Sequence, residues 1–276
     1  MTGVHAAATA AHDGARSVAG MPATPTPPPP PALLAISHGT ASATGSGAVA
    51  TLVEAVAARL PGATVHAGFV DVQQPDVPTC LAGLRDTPAA RPTVVVPLLL
   101  SAGYHVHVDL REDVDAAVAG GDDVTLGGAL GPDDRLVDVL EQRLAEAGLR
   151  EDDTVVLAAA GSSDARAVAD CETTAARLGE RLGRRVIVGY IANATPRVAE
   201  VVTAARADQP GRRVVVASYL LAPGFFADLA ARAGGDVTTA PLLVAHEDAP
   251  AALVDVVLDR YRAAALTAAA APQPTA

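Results

Sequence analysis

From Ala32 to about Leu266, short runs of β-branched and aliphatic residues alternate with longer stretches of helical periodicity. The strand candidates are Ala32–Ser37, Thr64–Val70, Thr93–Leu99, Val124–Gly127, Thr154–Ala159, Arg185–Ile191, Arg213–Tyr219 and Val237–Leu242. Helical patterns begin near Ser46, Pro75, Val106, Asp133, Asp164, Pro196, Gly224 and Pro250. Several of these openings carry the aspartate or proline that suits a helix's first turn. Repeated strand–helix units of this length predict an α/β protein: parallel sheets covered by helices on both faces.

The pattern occurs twice. Gly68 to Pro75 (GFVDVQQP) parallels Gly189 to Pro196 (GYIANATP), and Val94 to His105 (VVVPLLLSAGYH) parallels Val214 to Phe226 (VVVASYLLAPGFF) with one extra residue. Leu136 to Val139 and Leu253 to Val256 both read LVDV. The offsets are 121, about 120 and 117 residues, so the chain reads as two copies of one domain joined near Gly148–Asp153. The expected organisation is a disordered Ala/Pro-rich tail over 1–31, an N-terminal domain over 32–149, a C-terminal repeat over 150–266 and a disordered tail over 267–276. Each domain is predicted to hold a parallel four-stranded sheet with helices on both faces.

Composition supports this and removes several functions. Half of the residues are hydrophobic, yet there are only three Phe, four Tyr and no Trp, an aliphatic interior suited to buried parallel strands. A net charge of −11 without a long basic run argues against nucleic acid as a partner. No apolar run reaches the roughly 20 residues of a membrane span, and the N-terminus lacks the pattern of a signal peptide, so the expected location is the cytoplasm. The two cysteines, Cys80 and Cys171, form no Cys-x-x-Cys pair, and Cys171 is expected to act as a small buried hydrophobe. There is no Gly-x-Ser-x-Gly elbow, no phosphate-loop lysine in the Gly-rich turn at Thr44 and no His-Glu-x-x-His pair. No organic cofactor is therefore expected.

The repeat supplies an internal comparison. After the first strand, one copy has Ser-His-Gly-Thr (Ser37 to Thr40) where the other has Ala-Ala-Gly-Ser (Ala159 to Ser162). His105 is matched by Phe226, and Asp71 by Ala192. The neighbouring glycines persist in both copies, Gly39 with Gly161 and Gly103 with Gly224. His38, Asp71 and His105 thus follow three successive strands of one copy only, at the sheet edge where open α/β sheets bind ligands. Two imidazoles and a carboxylate there suit a borderline divalent metal such as Fe²⁺, Co²⁺, Ni²⁺ or Zn²⁺. The alternative for each histidine is an ordinary hydrogen-bonding loop residue. His107 is a candidate proton relay, His66 reads as a strand-face residue, His246 could cap a cleft between the domains, and His5 and His12 lie in the tail.

Ser-His-Gly-Thr after the first strand, Phe-Val-Asp-Val-Gln-Gln-Pro after the second and Val-Pro-Leu-Leu-Leu-Ser-Ala-Gly-Tyr-His-Val-His-Val-Asp-Leu after the third resemble the sirohydrochlorin chelatase family. These are class II, ATP-independent enzymes of sirohaem and cobalamin synthesis. The resemblance covers about residues 32–265 and is carried most specifically by the Gly-Tyr-His-Val-x-Val-Asp stretch. It implies insertion of Fe²⁺ or Co²⁺ into a sirohydrochlorin-type tetrapyrrole. His38 and His105 would be metal ligands, one of them accepting a proton, and Asp71 would assist. Ala41 stands where many relatives have Arg, and Asp71 where many have Glu. Arg111 and the helix N-termini after the third strands are candidates for holding the substrate's carboxylates. A carrier of metal or tetrapyrrole, without an insertion step, would use the same residues. The sequence does not decide between iron and cobalt, nor the oligomeric state.

Overall fold

The computed structural model describes residues 29–86, 91–101 and 104–270, the side chains of 104–108 excepted. It contains two four-stranded sheets, each all parallel. The first half runs β1 (Ala32–Ser37), α1 (Ala43–Ala58), β2 (Val65–Phe69), α2 (Val77–Arg85), β3 (Thr93–Pro97), α3 (Tyr104–Ala119), β4 (Val124–Leu126) and α4 (Asp134–Glu146). The second runs β5 (Thr154–Ala159), α5 (Ala165–Leu182), β6 (Val186–Tyr190), α6 (Val198–Asp208), β7 (Val214–Tyr219), α7 (Phe225–Ala231), β8 (Val237–Thr238) and α8 (Ala251–Ala270). Strand order is β2-β1-β3-β4 in one sheet and β6-β5-β7-β8 in the other. The repeat read in the sequence is therefore a repeat of topology.

The central strands are apolar through most of their length because both faces are covered. In β1, Leu34 and Ile36 pack with Val77, Leu81, Leu110 and Val114 of α2 and α3. Leu33 and Ala35 face the other way, into a core that holds residues of α1, α4, α5 and α8. In β5, Val155, Leu157 and Ala159 join that same core, while Val156 and Ala158 pack on α6. One continuous hydrophobic layer thus lies between the sheets, with a smaller core outside each.

The last helix of each half crosses to the other half. Helix α4 packs on α5 and β7, and α8 packs on α1, β3 and β4. Matching arginines fasten the exchange. From α4, Arg143 donates to the carbonyls of Pro241 (3.2 Å) and Leu242 (3.0 Å) beyond β8. From α8, Arg260 donates to the carbonyls of Ala129 and Leu130 beyond β4, both at 2.8 Å.

Several element ends differ from the sequence reading, two of them for a visible reason. Strand β8 stops at Thr238, short of the expected Leu242. There the Thr239 hydroxyl takes the Ser218 N–H (3.0 Å) in place of a backbone carbonyl, and Pro241 has no N–H to offer the ladder. Helix α8 continues through Thr267 to Ala270, so the first residues of the expected C-terminal tail are helical, as an alanine run favours. At the other end, the Pro31 carbonyl accepts a hydrogen bond from the Tyr261 hydroxyl (2.8 Å), which pins the chain where it enters β1. Residues 1–28 and 271–276 of the expected tails lie outside the described residues.

Candidate active site

In each sheet, the strand order reverses between the first and third strands of its half, β1/β3 and β5/β7. Ligands of open parallel sheets sit outside the carboxyl ends of the strands at such a reversal. Both reversals open onto one cavity of about 630 Å³. Its walls are the turns after β1 and β5 and the exits of β3 and β7, including Leu98–Ser101 from one half and Tyr219–Phe226 from the other.

His38 follows Ser37, the last residue of β1, and stands exposed in this cavity wall. The turn that carries it is tightly built. Gly39 has φ +93°, and a Cβ there would run into the Asp71 carbonyl; Gly161, at φ +88°, meets the Ala192 carbonyl in the same way. The glycines conserved between the halves therefore hold the β1 and β5 turns against the chain leaving β2 and β6. The His38 carbonyl accepts from the Asp71 N–H (3.2 Å), and the Gln73 side chain accepts from the Thr40 N–H (2.9 Å).

Asp71 lies two residues beyond the end of β2, is exposed, and does not line the cavity. Its Oδ1 accepts from the Val72 N–H at 2.7 Å. His105 is the second residue of α3, which follows the β3 exit; its side chain, like that of His107, lies outside the described residues. His246 sits in an exposed turn at φ +65° and is not part of the cavity wall, so it does not cap the cleft. His66 is exposed on the edge strand β2, a face residue as expected. Arg111 is exposed on α3. Among the described residues, no group of three or more His, Cys, Asp or Glu side chains is arranged to hold a metal.

Part of the cavity lining is apolar and aromatic. Phe225 is 68% exposed and Phe226 37%, with ring centroids 6.1 Å apart. Val72, held at φ +65°, is also exposed and lines the cavity. Three of the five large exposed hydrophobics among the described residues thus face this one space, and such a cluster marks a binding surface. Phe226 was legible as the counterpart of His105; Phe225 and Val72 were not singled out by the sequence. The signal for Phe225 was present, since the repeat sets it opposite Tyr104.

The cavity floor holds Tyr219 and Cys171, both buried. Burial pushes the Cys171 thiol up to about 11, only partly offset by a hydrogen bond with Ser101. Burial likewise drives the Tyr219 phenol well above its ordinary value. Both therefore stay protonated at neutral pH and serve as neutral packing and hydrogen-bonding groups.

The CbiX family model matches residues 32–147 and 154–246. The chain is 27% identical to a sirohydrochlorin ferrochelatase of Priestia megaterium over 197 residues, 70% of this chain and 73% of that protein. Among solved structures, SirB from Bacillus subtilis with Fe3+ superposes with a TM-score of 0.72 at 22% identity, covering 87% of this chain and 97% of that one. SirB from Bacillus subtilis subspecies spizizenii in complex with cobalt gives 0.66 at 21% identity, covering 86% and 96%. CbiX, the terminal enzyme for biosynthesis of siroheme in denitrifying bacteria, gives 0.60 at 19% identity, covering 84% and 99%. With one family model spanning both copies of the repeat, the chain belongs to the CbiX family of sirohydrochlorin chelatases.

Proposed function

We propose that this protein inserts Fe²⁺ or Co²⁺ into sirohydrochlorin or a close tetrapyrrole relative. The observation that carries this reading is the shared cavity: His38 of the first half and the Phe225–Phe226 pair of the second line one space, where both sheets reverse. The flat ring of a tetrapyrrole fits such a cleft, because aromatic rings stack on extended π systems. A relative named sirohydrochlorin ferrochelatase and neighbours holding iron and cobalt point to the same substrates.

Metal insertion must strip water from a cation and remove two protons from ring nitrogens on one face of the macrocycle. In the proposed mechanism His38 and His105 bind the incoming metal, which is substrate here. Imidazole suits both tasks: it ligates borderline metals when neutral and accepts protons near neutral pH. In this mechanism Asp71 acts from outside the cavity wall, by holding the turn beside His38. The Phe225–Phe226 wall holds the ring and excludes water from the reacting face.

The test is anaerobic mixing of the purified protein with sirohydrochlorin and either Fe²⁺ or Co²⁺, followed by absorption spectroscopy. Conversion faster than in the protein-free control is the expected result. Binding of metal or tetrapyrrole without faster conversion would make the protein a carrier, and neither binding nor conversion would overturn the assignment.

A further inference from the structure

We infer that Val72 touches the tetrapyrrole ring and helps to hold it next to His38. This rests on the proposed tetrapyrrole substrate. Val72 lies shortly after β2 and sits at φ +65°. The other non-glycine residues with positive φ among the described residues are Asn193 and His246, types that the left-handed region tolerates. A β-branched residue is strained there, because its Cβ crowds the following carbonyl. Three short ties keep Val72 in place. The Asp71 carboxylate accepts from the Val72 N–H (2.7 Å), the Asp71 carbonyl from the Gln73 N–H (2.7 Å), and the Gln73 side chain from the Thr40 N–H (2.9 Å). The second bond spans a single residue, which makes this a γ-turn of the strained, positive-φ kind. The third fastens it to the turn that carries His38.

Packing does not offset the strain, since Val72 is 57% exposed. Nor does the fold require valine. Asn193 occupies the matching position of the second half at φ +52°, also exposed and also lining the cavity, and asparagine suits that conformation. What valine adds is apolar surface in the cavity. A Cβ on Gly39, the residue after His38, would lie 3.4 Å from the Val72 Cβ, so this surface is next to the histidine. Together with Phe225 and Phe226, it brings apolar contact to the space from both halves of the chain. A residue that is strained and exposed at this point is accounted for by a bound ring that covers it.

Anaerobic titration of the full-length protein with metal-free sirohydrochlorin, read by its fluorescence, tests this together with thermal unfolding. Val72→Asn installs the residue of the second half, and Val72→Gly removes the side chain; both accept φ +65° with less strain. Each should bind sirohydrochlorin about three- to tenfold more weakly, the scale of losing part of one apolar contact. Each should unfold at or above the wild-type midpoint, because the turn is relieved. Val72→Ile keeps a branched apolar surface and should bind at the wild-type level. Val118→Asn changes another exposed valine, outside the cavity, and should leave the affinity unchanged. Wild-type affinity in either folded variant, Val72→Asn or Val72→Gly, overturns the inference. A loss of affinity that comes with a lowered midpoint in both also overturns it, since Val72 would then be structural. In either case wild-type turnover leaves the chelatase reading standing. A wild-type protein that neither binds nor converts sirohydrochlorin takes both down.

Discussion

Arg143 offers the sharpest test of how the two halves are joined. Its side chain is 3% exposed, and it gives two hydrogen bonds to carbonyls of the opposite half and a third to Glu146 at 2.7 Å. Arg143→Met preserves most of the packed volume but leaves the Pro241 and Leu242 carbonyls without this donor, and both residues are buried. A hydrogen bond from a charged donor contributes about 1.5–3 kcal/mol, so losing two costs roughly 3–5 kcal/mol after some relaxation. For a chain of this size, that corresponds to a fall of roughly 10 °C in the unfolding midpoint. Arg181 gives the contrast. It also links α4 to α5, through Asp138 (2.8 Å) and Glu141 (3.1 Å), but all three side chains are at least a third exposed or close to it. Water competes for such pairs, so Arg181→Ala should leave the midpoint essentially unchanged. Thermal unfolding followed by circular dichroism measures both. A midpoint for Arg143→Met within about 2 °C of wild type, or below that of Arg181→Ala by no margin, would refute the view that these buried ties hold the exchanged helices.

Other expectations follow from the site and its surroundings. His38→Ala should abolish conversion of sirohydrochlorin with an unchanged circular dichroism spectrum, because the side chain is exposed; full turnover would remove His38 from the mechanism. Alkylation of the native protein at pH 8 should modify Cys80, which is half-buried, well before Cys171, whose thiol is buried and pushed up to about 11; mass mapping reads the order. The hydrogen bond from Arg213 holds the Asp153 carboxyl below its ordinary value. A carboxyl whose folded pKa is lowered stabilises the fold fully above the unfolded value, near pH 4, and loses that contribution as pH falls through the folded one. Asp153→Asn should therefore flatten the loss of stability below about pH 4, and an acid limb as steep as wild type would contradict it.

Much of the architecture was legible because its cause is local. The runs Leu33–Ile36 and Val94–Val96 are apolar at every position, and only a strand covered on both faces needs that. The repeat located the carboxyl-edge turns, and with them His38 and Phe226. What stayed hidden depends on long-range packing. LVDV occurs at the start of both final helices, but nothing in either copy tells that α4 lies on β7 and α8 on β3. Arg143 and Arg260 look like ordinary surface residues in the sequence, and only the exchange buries one and turns both onto foreign carbonyls. Tyr219 read as the end of an apolar strand, because its partner, Leu100, is 119 residues away. Asp71 was placed beside the site by its strand position, yet its carboxylate is engaged by Val72, a local turn contact that strand counting does not foresee.

The exchanged helices also bear on ancestry. A pair of identical copies related by a two-fold axis must show the same residues on both walls of the cleft between them. Once two copies are fused in one chain, that obligation lapses, while the mutual covering of each sheet by the other's last helix keeps either copy from being discarded. One half was then free to carry Ala160 and Phe226 where the other carries His38 and His105, and under the proposed mechanism the first would bed the ring while the second would bind the metal. Fusion thus permits a cleft lined unequally by its two halves, which no symmetric dimer of the same domain could present.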